Sequence, residues 1–233
     1  MLKRVLAFQH AAPEHPGLIA TALRAKNIAI TCLRPDRGEP LPASLGEFDG
    51  LVVMGGPQSV YEEDRYPYLR AEKTLVREAI TTSRPVLGVC LGSQIVAEVL
   101  GAHVWSSGQI EFGWRPVALS AESAEDPVLQ HLPRVVVPLH WHGDVYNLPL
   151  GATPVGSSAQ TPVQGFVWNR RCYAILFHLE ITPEQLTEMA RTFPDDVSRA
   201  GTTVEALLAE TMARAAALRE PALRAFSAWA DLL

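Results

Sequence analysis

Cysteine is scarce in this chain of 233 residues: Cys32, Cys90 and Cys172 are the only three, and no two stand at a metal-binding or redox spacing. That excludes a disulfide framework and points to a reducing, cytoplasmic setting. Positive charge is also in short supply, with 20 Lys and Arg against 25 Asp and Glu, a net charge of −5 and no basic block. Nucleic acid is therefore not an expected partner. No apolar run approaches the length of a membrane span, and Met1 to Arg4 lead into a strand-like stretch without the apolar core of a signal peptide, so no membrane association is expected. Repeats and low-complexity segments are absent too. What remains, 48% hydrophobic and 19% charged, is the composition of a globular chain holding one large domain, or one domain with a modest appendage.

Short apolar runs alternate with helical patterns. Val5 to Phe8 predicts a buried strand, Gly17 to Arg24 a helix, and Ile28 to Leu33 a second strand. Leu51 to Met54 predicts a third strand, running into Gly55-Gly56-Pro57, and Leu69 to Ile80 a helix with one apolar side. A β-α-β opening of this kind predicts a parallel sheet covered on both faces, with ligands at the carboxyl ends of its strands. Two glycines there permit a turn whose N–H groups face a ligand, although Gly-Gly-Pro also describes an ordinary tight turn.

The densest signal is Arg84 to Gly101. Pro85 to Val89 predicts a buried strand; Ile95, Val96, Val99 and Leu100 share a helix face; Gly-Val-Cys-Leu-Gly stands between them. A strand that reverses sharply into a helix needs small neighbours, and Gly88 and Gly92 flank Cys90 at the turn. The pattern describes a nucleophile elbow carrying sulfur. A free thiol titrates near about 8.5, and a helix N-terminus is expected to lower that value and to leave the Leu91 N–H facing a developing oxyanion. Alone, the motif also describes an inert packing cysteine.

Beyond Trp105 the pattern turns to irregular strands, with Trp114 to Leu119, Val135 to Leu139, Gln164 to Val167 and Ala174 to Phe177 as candidates. His140-Trp141-His142-Gly143-Asp144 falls where one of these is expected to end. The H-x-H pair lacks a third ligand at a recognisable spacing, so no metal and no cofactor are expected. Ile175 to Glu180 predicts a strand on which His178 and Glu180 share a face. A carboxylate beside an imidazole accepts its Nδ1–H and leaves Nε2 free to take a proton from a thiol, although a surface ion pair also fits the pattern. Thr182 and Pro183 open the next helix. A capping box at Thr202 and Glu205 then starts a helical tail, which Pro221 is expected to divide in two.

Taken together, Met-Gly-Gly-Pro-Gln-Ser, Gly-Val-Cys-Leu-Gly-Ser-Gln and Phe-His-Leu-Glu, each at the end of a predicted strand, resemble the class I glutamine amidotransferases. The likeness extends through Phe112 to Val117 and His140 to Asp144, and is greatest to stand-alone members similar to the amidotransferase domain of GMP synthetase. It implies an α/β fold, a three-layer, doubly wound, mostly parallel sheet with a flavodoxin-like core, over residues 1–190. Residues 191–233 would be a helical extension packed on the same domain. It also implies roles: Cys90 would form a γ-glutamyl thioester with glutamine, His178 would relay protons and Glu180 would orient it. The N–H groups of Gly56 and Leu91 would form the oxyanion hole, with Gly55, Gln94, Trp141 and His142 holding the substrate. Leu179 stands where many members carry proline, facing away from the thiol.

After Glu180 the chain holds no phosphate-binding glycine loop, so it offers no site for an ammonia acceptor. Three functions follow from the resemblance. The chain would hydrolyse glutamine and deliver ammonia to a synthase subunit in trans, or hydrolyse γ-glutamyl amides or peptides by the same thioester, or keep the fold only for binding.

Overall fold

The computed structural model describes residues 2–233. In chain order its elements are β1 (Arg4–Phe8), α1 (Gly17–Ala25), β2 (Ala29–Leu33), β3 (Gly50–Val53), α2 (Tyr68–Thr81), β4 (Val86–Val89), α3 (Leu91–Val99), β5 (Val104–Trp114) and β6 (Val117–Leu119). There follow β7 (Val135–Val136), β8 (Leu139–Tyr146), β9 (Thr153–Pro154), β10 (Gly156–Ser157), β11 (Gly165–Trp168), β12 (Cys172–Ile175), α4 (Pro183–Thr192), α5 (Pro194–Arg199) and α6 (Val204–Ala230).

Seven strands form the main sheet in the order β2-β1-β3-β4-β12-β11-β9. The first five are parallel, and β11 and β9 add an antiparallel margin. Strand alternation supplies both covered faces. Val5 and Ala7 of β1, Val52 of β3 and Leu87 and Val89 of β4 pack in one cluster with α1 and α6. Leu6, Phe8, Leu51, Val53 and Val86 pack in the other with α2 and α3. The result is the three-layer α/β sandwich that the alternating pattern predicts.

Three local expectations differ from the structure. The His140–Asp144 stretch does not follow a strand; it lies inside β8, paired antiparallel with the long β5. The strand expected to run to Glu180 stops at Ile175, and the chain continues irregularly, held by a single bridge in which the His178 N–H donates to the Leu139 carbonyl at 2.8 Å. The tail is one helix of 27 residues with Pro221 inside it, capped by the Thr203 side chain rather than by Thr202. Pro221 cannot bond the carbonyl of Ala217, but Ala217 is exposed, so that carbonyl is not left unpaired in the core. Leu218, Ala222, Phe226 and Trp229 meanwhile hold both halves against the core.

Candidate active site

The β3–β4 pairing brings two turns side by side. Val53 opposes Gly88, so the glycine turn after β3 and the cysteine turn after β4 open at the same carboxyl edge. Cys90 sits between β4 and α3 at φ 51° and ψ −111°, a conformation that a side-chain-bearing residue holds only under strain. The flanking glycines are required by space. A Cβ on Gly92 would fall 1.9 Å from the Val53 carbonyl oxygen, and one on Gly88 would fall 2.6 Å from that of Gly92.

From the other side of the edge comes the irregular segment after β12. His178 and Glu180 are both buried, and the imidazole Nδ1 meets Glu180 Oε1 at 2.7 Å. With Nδ1 taken, Nε2 is the nitrogen left for the thiol, and it has no hydrogen-bond partner among the described residues. The backbone carbonyl of Glu180 accepts from the Leu18 N–H at the start of α1, at 2.9 Å, which ties the carboxylate-bearing loop to the sheet's helical cover.

Burial pushes the Cys90 thiol up, and this outweighs the opposing pull of His178 and of the Leu91 N–H. The lowering expected from the helix N-terminus is present in direction but is not the larger effect. For His178, burial favours the neutral ring, but the charge of Glu180, its hydrogen bond to Nδ1 and the neighbouring Cys90 sulfur prevail and raise its pKa well above the ordinary histidine range. One proton is thus contested between sulfur and imidazole, with Glu180 drawing it to the ring. Chemically this is a thiol beside an oriented base, at the edge of a cavity of about 860 Å³.

The family model for glutamine amidotransferase class-I matches residues 17–195. The chain belongs to the class I glutamine amidotransferase family. It is 36% identical over 184 residues to the glutamine amidotransferase-like protein YfeJ of Salmonella typhimurium, covering 78% of this chain and 77% of that one. It is 38% identical over 144 residues to the glutamine-hydrolyzing GMP synthase of Vibrio vulnificus, a match spanning 60% of this chain but only 26% of that enzyme. A glutamine amidotransferase crystal structure from Thermotoga maritima superposes with a TM-score of 0.90 at 29% identity, covering 99% of both chains.

Of the residues singled out from the sequence, Cys90, His178, Gly56, Gln94, Trp141 and His142 all line the cavity. The Cys90 thiol donates to the Trp141 carbonyl at 3.7 Å, and Gln94 Nε2 donates to the Asp144 carbonyl at 3.4 Å. Leu91, the residue after Cys90 and the first of α3, is fully buried. Gly55 does not line the cavity; its carbonyl is bound instead to the buried His10 ring.

Sequence reasoning passed over three features. Glu14, in the Pro13–Pro16 loop after β1, lines the cavity, and burial raises its carboxyl to about 7. An acidic residue in a loop at the ligand-binding edge was the available signal. The second feature is the His10–Glu72 pair, separated by most of two βα units. The third is Glu111, which the β5–β8 register sets opposite His142. Glu111, His140 and His142 offer ligand atoms within 4.8 Å of one another, a spacing a metal ion can bridge. Glu111 Oε2 also accepts from Thr161 Oγ1 at 2.7 Å and Gln164 Nε2 at 2.8 Å. Burial would raise the Glu111 carboxyl, but His142, Ser158 and Thr161 outweigh it and bring it to about 2. This buried charge ties β5 to β8 and to the segment before β11.

Proposed function

We propose that this chain is a cysteine-dependent glutaminase of the amidotransferase type, with Cys90 as nucleophile, His178 as proton relay and Glu180 as orienting carboxylate. The observation that carries the reading is the buried Cys90 on a strained strand-to-helix turn, beside a histidine whose Nδ1 is held by Glu180 at 2.7 Å. The proton of Cys90 passes to His178, and the sulfur attacks the carboxamide carbon of glutamine. The oxyanion that forms is held by the N–H groups of Gly56 and Leu91. His178 returns the proton to the departing nitrogen, the carbon–nitrogen bond breaks, and ammonia leaves a γ-glutamyl thioester on Cys90. Water, deprotonated by His178, then attacks the thioester, and glutamate and the free thiol result. Gln94 and the backbone of Trp141 and His142 hold the amino-acid end of the substrate. The ammonia serves a synthase partner in trans, as the likeness to one segment of GMP synthase suggests.

A second reading has its own support. Small-ligand sites span about 300–1,000 Å³, and a cavity of about 860 Å³ is near the top of that range, more room than one amino acid fills. It extends past Cys90 to Arg65 and Arg199, and so accommodates a γ-glutamyl amide or peptide with a larger leaving group. Glutamate release from glutamine and from glutathione, measured side by side with the Cys90→Ala variant as control, tests both. Turnover of glutamine that vanishes in the variant supports the first reading, and preferential turnover of the peptide supports the second. Activity retained by Cys90→Ala would remove the nucleophile assignment, and silence on both substrates would favour a binding role.

A further inference from the structure

A second histidine–carboxylate pair lies behind the glycine turn and takes no part in the chemistry above. His10, two residues after β1, and Glu72, on α2, have fully buried side chains. The imidazole Nε2 meets Glu72 Oε2 at 3.0 Å and Oε1 at 3.1 Å, while Nδ1 meets the Gly55 carbonyl oxygen at 3.0 Å. Both ring nitrogens thus face acceptors, so the ring donates from both. Burial alone would favour the neutral ring; the Glu72 charge and the two bonds overcome it and raise the pKa of His10.

The consequence follows from peptide geometry. The peptide joining Gly55 and Gly56 is planar and trans, so its C=O and N–H point in opposite directions. Fixing the Gly55 carbonyl on the His10 side sets the Gly56 N–H on the other side. Gly56 lines the cavity while Gly55 does not, and the Gly56 N–H has no backbone acceptor among the described residues. A peptide between two glycines rotates with little steric resistance, and a turned peptide would present a carbonyl where an oxyanion must form.

We propose that the buried His10–Glu72 pair is a positioning device that holds the Gly55–Gly56 peptide with its N–H toward the oxyanion site before any partner binds, so that turnover does not wait on a synthase subunit. This rests on the reading of the Gly56 N–H as an oxyanion donor. His10 and Glu72 touch no substrate and act only through that peptide. The arrangement predicts a protein that hydrolyses its γ-glutamyl substrate alone.

The test compares three proteins. His10→Phe/Glu72→Leu replaces the pair by apolar groups of similar size, an exchange that buried ion pairs commonly tolerate in stability. Glu72→Gln keeps the carbonyl bond, because its amide donates to Nε2 and leaves the Nδ1 proton on the Gly55 oxygen. Loss of an oxyanion donor lowers kcat by about 100- to 1,000-fold, and a misdirected one is expected to lower it by about 10- to 100-fold. The double variant should therefore lose kcat in that range with KM within about twofold, while Glu72→Gln stays close to wild type. In parallel, the 15N relaxation of the Gly56 amide should show exchange broadening in the double variant only. Unchanged kcat in the double variant, or an equally sharp Gly56 amide in all three proteins, overturns the proposal. If wild type turns over neither glutamine nor glutathione, partner-independent turnover is overturned, and Gly56 broadening in the double variant alone then supports only the positioning of the peptide.

Discussion

Glu14 Oε2 and His178 Cε1 close on the same glycine: a Cβ on Gly55 would stand 2.1 Å from the carboxyl oxygen and 3.2 Å from the imidazole carbon. The Glu14 carboxyl accepts no hydrogen bond among the described residues, and Gln185 on α4 fixes its loop by donating to the His15 carbonyl at 2.8 Å. Desolvation is the main reason its pKa rises to about 7, against the pull of His178 and His10.

The pH dependence of stability follows from that shift. The folded protein keeps the Glu14 proton up to about pH 7, whereas an unfolded chain releases it near pH 4.3. Between those values the native state binds more protons, so this group makes stability fall as pH rises and contributes no penalty below the unfolded pKa. Glu14→Gln removes the penalty. Thermal unfolding should show the variant more stable than wild type at about pH 8, by up to about 3 kcal/mol, with the two proteins converging below about pH 4. Equal stability at both pH values would mean that the carboxyl is not held in its desolvated position.

How much of this was legible in the sequence follows the range of each signal. Cys90, Gly56 and His178 were legible because each stands within a few residues of a strand that the apolar runs already mark. Burial at β8 was not, because His140 and His142 break the apolar pattern, and only pairing with β5 supplies their partner Glu111. Pro221 misled for a related reason: a helix interrupted in isolation is held together here by Phe226 and Trp229 on one side and Leu218 on the other. The His10–Glu72 contact spans 62 positions, and no local rule links a histidine after β1 to a glutamate on α2. Long-range electrostatic partners are what a single sequence hides, and in this protein they surround the site.

In the proposed reaction Glu180 sets the charge of His178, and through it the reactivity of Cys90. In Glu180→Gln the imidazole loses the neighbour that raises its pKa, and the cation that draws Cys90 toward its thiolate is weakened. The pH profile of Cys90 alkylation by iodoacetamide should therefore move to higher pH in the variant. Turnover near pH 7 should fall by about 10- to 100-fold, less than for Cys90→Ala, since the attacking atom is retained. An alkylation profile that does not move would show that Glu180 orients the ring without setting its charge.

Trp229 on α6 tests whether the helical tail belongs to the same cooperative unit as the sheet. Its side chain is fully buried, and together with Leu233 it fills the space beside Gly50 at the start of β3. Truncating a buried aromatic to alanine costs about 3–5 kcal/mol, so Trp229→Ala should lower the midpoint of denaturant unfolding substantially. The indole N–H has no hydrogen-bond partner among the described residues, so Trp229→Phe loses volume but no hydrogen bond and should be much milder. If the tail and the sheet form one unit, far-UV circular dichroism and the fluorescence of the remaining tryptophans shift together in Trp229→Ala, in a single transition. Two separated transitions would make residues 191–233 an independently unfolding extension.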